Sequence, residues 1–404
     1  MQEKLILIPV TPSVPFVCFK ALKCINSLNH LQAPIFIPPN MRADLIHFIR
    51  LSLIDGIGPI NSKKLIAHRG GAEAVFKSSP KQLLSIEGIG PSHVDKILSA
   101  ATGNKAEEML RELEKTGHKA FTYLDPEYPR RLNNCEDAPL LLYMDGEAEM
   151  NQAFVLSIVG TRYATEYGKA VTEEFIEAIS VLKPLVVSGL AHGIDVTAHK
   201  AAMRYGCPTI GVLAHGLDMV YPAIHRQIAK RMCDVGGLLT EFPTGTRPEK
   251  ERFPMRNRIV AGMSDATIVI ESDVSGGSLI TARMANDYAR DVFALPGRTT
   301  DRFSRGTNDL IRRDAAHLLD SPEEFMKMMG WELAKKEEAV QTSLFVDLDP
   351  KEKNLVAAMS RDPRSVDIIA VESAMPMSEV SALLLGLEFK GMVRTFPGKR
   401  YALS

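Results

Sequence analysis

The chain has 404 residues, 45% of them hydrophobic and 24% charged, with a formal net charge of −1. That length exceeds one ordinary core, so two or three domains are expected in a globular protein. A near-neutral chain argues against a uniformly basic nucleic-acid coat, so any hold on a polyanion has to come from local clusters of charge. Five scattered cysteines, Cys18, Cys24, Cys135, Cys207 and Cys233, never form a Cys-x-x-Cys pair. This argues against a disulfide framework or a zinc ribbon and for a reducing, cytoplasmic compartment.

Residues 1–40 carry Pro9, Pro12, Pro15, Pro34, Pro38 and Pro39 and almost no acid. No apolar run there is long enough to cross a membrane, and the prolines interrupt a signal-peptide core. The expected folded start is Met41, with 1–40 an extension, disordered or translated from too far upstream. Residues 41–105 read as short helices. Asp55-Gly56-Ile57-Gly58-Pro59 returns as Glu87-Gly88-Ile89-Gly90-Pro91, an internal repeat in which each copy precedes a helix. Each copy resembles a helix-hairpin-helix turn. It either turns the chain between packed helices or offers backbone N–H groups to a phosphate, with Lys63, Lys64 and Lys96 the few cations nearby. Residues 106–150 read as a connector, with a charged helix Lys105–Lys115 followed by prolines and the run Leu140-Leu141-Leu142-Tyr143.

From 151 to 331 strands and helices alternate. The predicted strands are Val155–Val159, Leu185–Ser188, Thr209–Leu213, Leu238–Glu241, Thr267–Glu271 and Val292–Leu295. They are continuous apolar runs, as strands buried on both faces are, so the expected fold is a doubly wound, Rossmann-like α/β domain with a largely parallel sheet. Ligands in such folds bind beyond the carboxyl ends of the strands. The loops there are small, hydroxylic or cationic: Gly160-Thr161-Arg162, Ser188-Gly189, the segment from Pro243 to Arg258, Ser275-Gly276-Gly277-Ser278, and Pro296-Gly297-Arg298. Phe253-Pro254-Met255-Arg256-Asn257-Arg258 reads as a basic loop. Its guanidinium forks suit phosphate oxygens and its ring suits a flat base; alternatively it is a solvated basic turn. No Gly-x-Gly-x-x-Gly with a downstream acid and no Walker-type lysine loop occurs, which argues against dinucleotide and P-loop sites.

Residues 332–349 form an expected linker. Residues 350–404 read as three short helices and a hairpin, a winged-helix arrangement. His192, His199, His215 and His225 share a region but lack ligand spacing, so no metal and no cofactor are expected. Asp195, Asp218 and Glu271 read as caps or loop anchors, and no catalytic triad is evident.

Gly160-Thr161-Arg162, Ser188 to Asp195, Gly216-Leu217-Asp218 with Tyr221-Pro222, Phe253 to Arg258, Gly277 to Ala282 and Pro296-Gly297, in that order, resemble the DNA-processing protein family DprA, also called Smf. The resemblance implies a non-enzymatic protein, a homodimer through its Rossmann-like domain. Such a protein binds single-stranded DNA without sequence preference and loads RecA recombinase onto it during natural transformation and recombination. It further implies a DNA site at Gly160, Thr161, Arg162, Ser188, Gly189, Lys250, Phe253, Arg256, Asn257, Arg258, Gly276, Gly277 and Ser278. Two departures stand out: His192 replaces a residue that is often basic, and the loop before Leu279 reads Ser-Gly-Gly-Ser. The competing expectation is a nucleotide N-glycosidic hydrolase of a related fold. Its chemistry needs a glutamate after a Pro-Gly-Gly-x-Gly-Thr element, and Ser275 to Thr281 contains none. A third reading, a transcription regulator, would rest on the winged helix, which lacks a dense basic recognition helix.

Overall fold

The computed structural model describes residues 39–100, 103–331, 348–360, 364–396 and 400–403. The predicted extension and linker lie almost wholly outside them, as do Cys18 and Cys24. The described residues up to Trp331 make one unit and those from 348 another.

The first unit opens with α1 (Pro39–Ser52), α2 (Pro59–Arg69), α3 (Ala72–Phe76), α4 (Pro80–Leu84) and α5 (Pro91–Ala100). The repeated turn is built the same way twice. Gly56 and Gly88 take φ of 83° and 87°, which only glycine adopts without strain. Ile57 and Ile89, each 6% exposed, pin the two turns into one core. Pro59 and Pro91 open the helices that follow, where the missing N–H is not needed. Lys96 donates to the Asp55 carbonyl at 2.8 Å, and the Lys63 ammonium lies 5.3 Å from the Tyr123 ring. Burial and the nearby Arg258 charge lower the Lys63 pKa. Two of the three lysines near the repeat therefore serve the fold.

The segment expected to be a connector is part of the main sheet. After α6 (Lys105–Thr116) it supplies β1 (Lys119–Thr122), α7 (Arg130–Asn133) and β2 (Leu141–Gly146). β2 pairs antiparallel with both β1 and β6. Its run is apolar throughout because both faces are covered. Leu141 and Tyr143 pack with α1 and α6, while Leu142 and Met144 join the core under the sheet.

The α/β elements are β3 (Val155–Val159), α8 (Glu166–Ile179), β4 (Leu185–Ser188), α9 (Ile194–Arg204), β5 (Thr209–Val212), α10 (Arg226–Val235) and β6 (Gly237–Thr240). They continue through α11 (Arg252–Gly262), β7 (Ala266–Val269), α12 (Gly277–Asp287), β8 (Asp291–Ala294), α13 (Arg305–Arg312), β9 (His317–Leu318) and α14 (Pro322–Met328). The strand order is β1-β2-β6-β5-β4-β3-β7-β8-β9, with every pair from β6 to β9 parallel. Five of the six predicted strands lie within one residue of their observed bounds, and the sixth, Thr267–Glu271, runs two residues past the end of β7. Alternate residues feed two cores. Val155 and Val159 pack with α11 and α12, and Leu156 and Ile158 pack with α8 and α9. Burying each such side chain contributes about 1.5–3 kcal/mol. The chain winds outward from β3 in one direction and restarts at β7 in the other. The crevice between the carboxyl ends of β3 and β7 is thus the topological switch point.

The second unit has α15 (Pro350–Ala357), β10 (Arg364–Ser365), α16 (Val366–Ser373), α17 (Met377–Phe389), β11 (Val393–Phe396) and β12 (Arg400–Leu403). The strands pair antiparallel in the order β10-β12-β11 around one apolar core. Three helices with a hairpin match the winged-helix expectation. α17, with the sequence MSEVSALLLGLEF, contains no lysine or arginine.

Candidate nucleic-acid interface

A cleft of about 460 Å³ opens at the switch point. Its first wall starts where β3 ends. Thr161 N–H donates to the Glu271 carbonyl at 2.7 Å, and the Thr161 carbonyl accepts from Ile194 N–H at 3.3 Å. A Cβ on Gly160 would lie 2.5 Å from Ile194 Cγ1, so this glycine serves packing against α9. The turn leaves Arg162 exposed at the mouth. Its Cζ lies 5.4 Å from the Phe253 ring centroid, and Arg256 Cζ lies 5.9 Å from the same ring. Tyr221 flanks that ring at 6.1 Å. Phe253 is half-buried, held by cations yet open to the cleft.

The segment carrying Phe253 is the start of helix α11, not the loop expected from sequence. Pro254 sits in its first turn, where a backbone N–H has no intrahelical partner to lose. The helix phase then divides the basic residues. Phe253, Arg256 and Asn257 line the cleft. Arg256 is nonetheless only 4% exposed and forms part of the floor. Its Nη1 donates to the Gly189 carbonyl and, at 2.6 Å, to the Val212 carbonyl. A Cβ on Gly189 would come within 2.0 Å of that nitrogen, so Gly189 is the space the guanidinium occupies. Burial lowers the Arg256 pKa to about 10, leaving it cationic at neutral pH.

Two predicted contacts stand behind the surface. Ser188 is fully buried and donates to the Ile158 carbonyl at 2.6 Å. Arg258, 7% exposed, points away from the cleft, where it ion-pairs with Glu241 and donates to the Asp137 carbonyl. Tyr288 Oη closes that cluster by donating to Asp137 at 2.6 Å. Asp195 anchors a loop, as expected, but it grips the loop before its own helix. Its Oδ2 accepts from Gly189 N–H at 3.2 Å and Ala191 N–H at 3.4 Å. Burial raises its carboxyl pKa while the Arg256 charge opposes that rise.

The second wall is the β7–α12 loop. Gly276, Gly277 and Ser278 line it at the start of α12, which has no side-chain cap. An uncapped first turn presents N–H donors and the positive end of the helix dipole. Arg302 and Phe303 also line this wall and were not anticipated from sequence. Arg302 Nε donates to Asp273 Oδ2 at 2.6 Å, and this bond lowers the Asp273 pKa. The only available signal was the Arg-Phe dipeptide itself. Eleven of the thirteen predicted residues meet in this one cleft: Gly160, Thr161, Arg162, Gly189, Lys250, Phe253, Arg256, Asn257, Gly276, Gly277 and Ser278.

The four histidines do not converge. His199 is fully buried against Thr209, His215 bonds the Gly216 carbonyl, and the exposed His192 packs its ring on His225. No group of three or more metal-ligating side chains occurs among the described residues.

Residues 119–330 match the family model described as DNA recombination-mediator protein A, and 342–399 match the DprA winged helix domain. Protein Smf of a Synechocystis species is 33% identical over 388 residues, covering 88% of this chain and 98% of that protein. The chain belongs to the DprA/Smf family. DNA processing protein DprA of Bacillus subtilis is 33% identical over 261 residues, 63% of this chain and 88% of that relative. The solved structure of DNA processing protein A (DprA) from Streptococcus pneumoniae superposes with a TM-score of 0.61 at 31% identity, covering 70% of this chain and 96% of that one. This membership agrees with the Rossmann-like sheet and with the winged helix. Among the described residues no helix is long and apolar enough to cross a membrane.

Proposed function

We propose that the cleft binds single-stranded DNA without sequence preference and that this DprA/Smf protein hands the strand to a RecA-type recombinase in transformation and recombination. The observation that carries the DNA-binding reading is the half-buried Phe253 ring at the switch point, with the Arg162 and Arg256 guanidinium carbons 5.4 and 5.9 Å from its centroid. A base unstacked from a single strand can lie on such a ring, while a paired base inside a duplex cannot reach it. Arg162 and Lys250 supply exposed cations for phosphates, and the first turn of α12 supplies N–H donors. A ring platform accepts the face of any base, which supports sequence tolerance.

Binding rather than catalysis is part of this proposal. The carboxylates lining the cleft are Asp195, committed to two backbone N–H groups, and Asp273, bonded by Arg302. No glutamate lines it, so the hydrolase reading lacks its acid there. The recombinase partner and a homodimer through the Rossmann-like domain rest on family membership. The acidic and apolar α17 supports an accessory, partner-binding role for the winged helix.

Fluorescence-anisotropy titration of labelled oligo-dT at several salt concentrations tests the reading. The expected result is salt-sensitive binding with a log–log slope of about −0.7 per phosphate neutralised, little affinity for duplex, and a clear loss in Arg162→Ala. Absence of binding by the folded wild type overturns it. RecA nucleation on the same oligonucleotide, timed with and without the protein, tests the hand-over.

A further inference from the structure

The cleft carries a second cation–aromatic pair besides the first. Arg302 Cζ lies 5.6 Å from the Phe303 ring centroid, close to the 5.4 Å of Arg162 over Phe253. Both pairs line the same space. Asp273 holds Arg302 only by Nε, leaving the two terminal nitrogens of the fork outside that bond. The Phe303 backbone is fixed independently, since its carbonyl accepts from Ser272 N–H at 2.6 Å. The ring is half-buried and the guanidinium exposed.

From this we infer that Arg302 and Phe303 form a second nucleotide subsite, so that the cleft takes two bases of one strand, one on Phe253 and one on Phe303. This rests on the single-strand reading above and deepens it. A polymer of stacked bases needs successive platforms, and every base offers a face to a ring regardless of its identity. Arg302 meets the phosphate beside the second base. Asp273 acts as a positioning residue, holding the guanidinium by Nε.

The test is oligo-dT binding as a function of salt by wild type, Arg162→Ala, Phe303→Ala, Phe303→Leu, Phe303→Tyr, Arg302→Ala and the double variant Asp273→Asn/Arg302→Ala. Loss of the ring, in Phe303→Ala and Phe303→Leu alike, is expected to weaken binding about tenfold, while Phe303→Tyr retains it. Arg302→Ala is expected to lower the magnitude of the salt slope by about 0.7, and the double variant keeps that deficit. If Arg302 merely neutralises Asp273, the double variant recovers wild-type slope and affinity, and the subsite is overturned. Wild-type affinity in Phe303→Leu together with loss in Arg162→Ala also overturns it, leaving the single-strand reading intact. No binding by wild type overturns both. Should Phe303→Ala fail to fold, the comparison of Phe303→Leu with Phe303→Tyr decides alone.

Discussion

Helix α11 has two sides with the same chemistry and opposite purposes. Toward the cleft it shows Phe253, Asn257 and the end of Arg256; toward the junction with α7 and the N-terminal helices it sends Arg258 into Glu241 and Asp137. Arg256 and Arg258 are two residues apart, which on a helix is a rotation of about 200°. A run of arginines is therefore not a count of phosphate contacts. The exposed Arg162, from a different loop, is better placed to meet a ligand than the buried Arg258 of the basic motif itself.

The comparison breaks most visibly at Arg258. Removing it strands Glu241, a carboxyl whose pKa burial already raises. Arg258→Ala should cost about 3–5 kcal/mol of stability in chemical denaturation, while the molecules that remain folded bind oligo-dT as before. A binding defect without a stability defect would place Arg258 in the interface after all. Phe253→Ala should do the reverse, with about 1–3 kcal/mol lost from binding and a smaller change in the denaturation midpoint.

A third effect is on pH. His199 is fully buried, and burial with the Arg256 and His225 charges lowers its pKa from 6.5 to about 3. Its Nδ1 faces Thr209 Oγ1 at 2.7 Å, and Nε2 has no partner among the described residues. The unfolded chain takes up a proton there that the folded chain refuses. The contribution is complete above about pH 6.5 and is lost progressively as pH falls toward 3, on the order of 2 kcal/mol at pH 5. His199→Gln should flatten the drop in melting temperature between pH 7 and 5; an unchanged drop assigns it to other groups. The smallest expected stability change is at Arg162. Arg162→Ala should move the melting temperature little, within about 0.5 kcal/mol, yet lower the magnitude of the salt slope of binding by about 0.7. A large melting shift would mean that Arg162 supports the fold.

The six core strands were legible because a strand covered on both faces has no polar alternation to hide it. The repeated hairpins were legible because glycine and proline mark backbone geometry directly. β1 and β2 are not legible because the antiparallel pairing of β2 to β6, on which β1 then adds, is a long-range choice, and prolines before Leu140 read as a boundary. α11 was missed because Phe253-Pro254 reads as a break, although proline in a first turn costs no hydrogen bond. The Arg302–Phe303 wall was missed because nothing local distinguishes it from a solvated turn.

Short-range patterning was thus enough to specify the strands, the turns and which loops gather at one edge of the sheet. Burial depth and helix phase were left to the tertiary structure. They depend on which faces meet across the chain, and so only the assembled fold separates the arginines that hold the protein together from those that face its ligand.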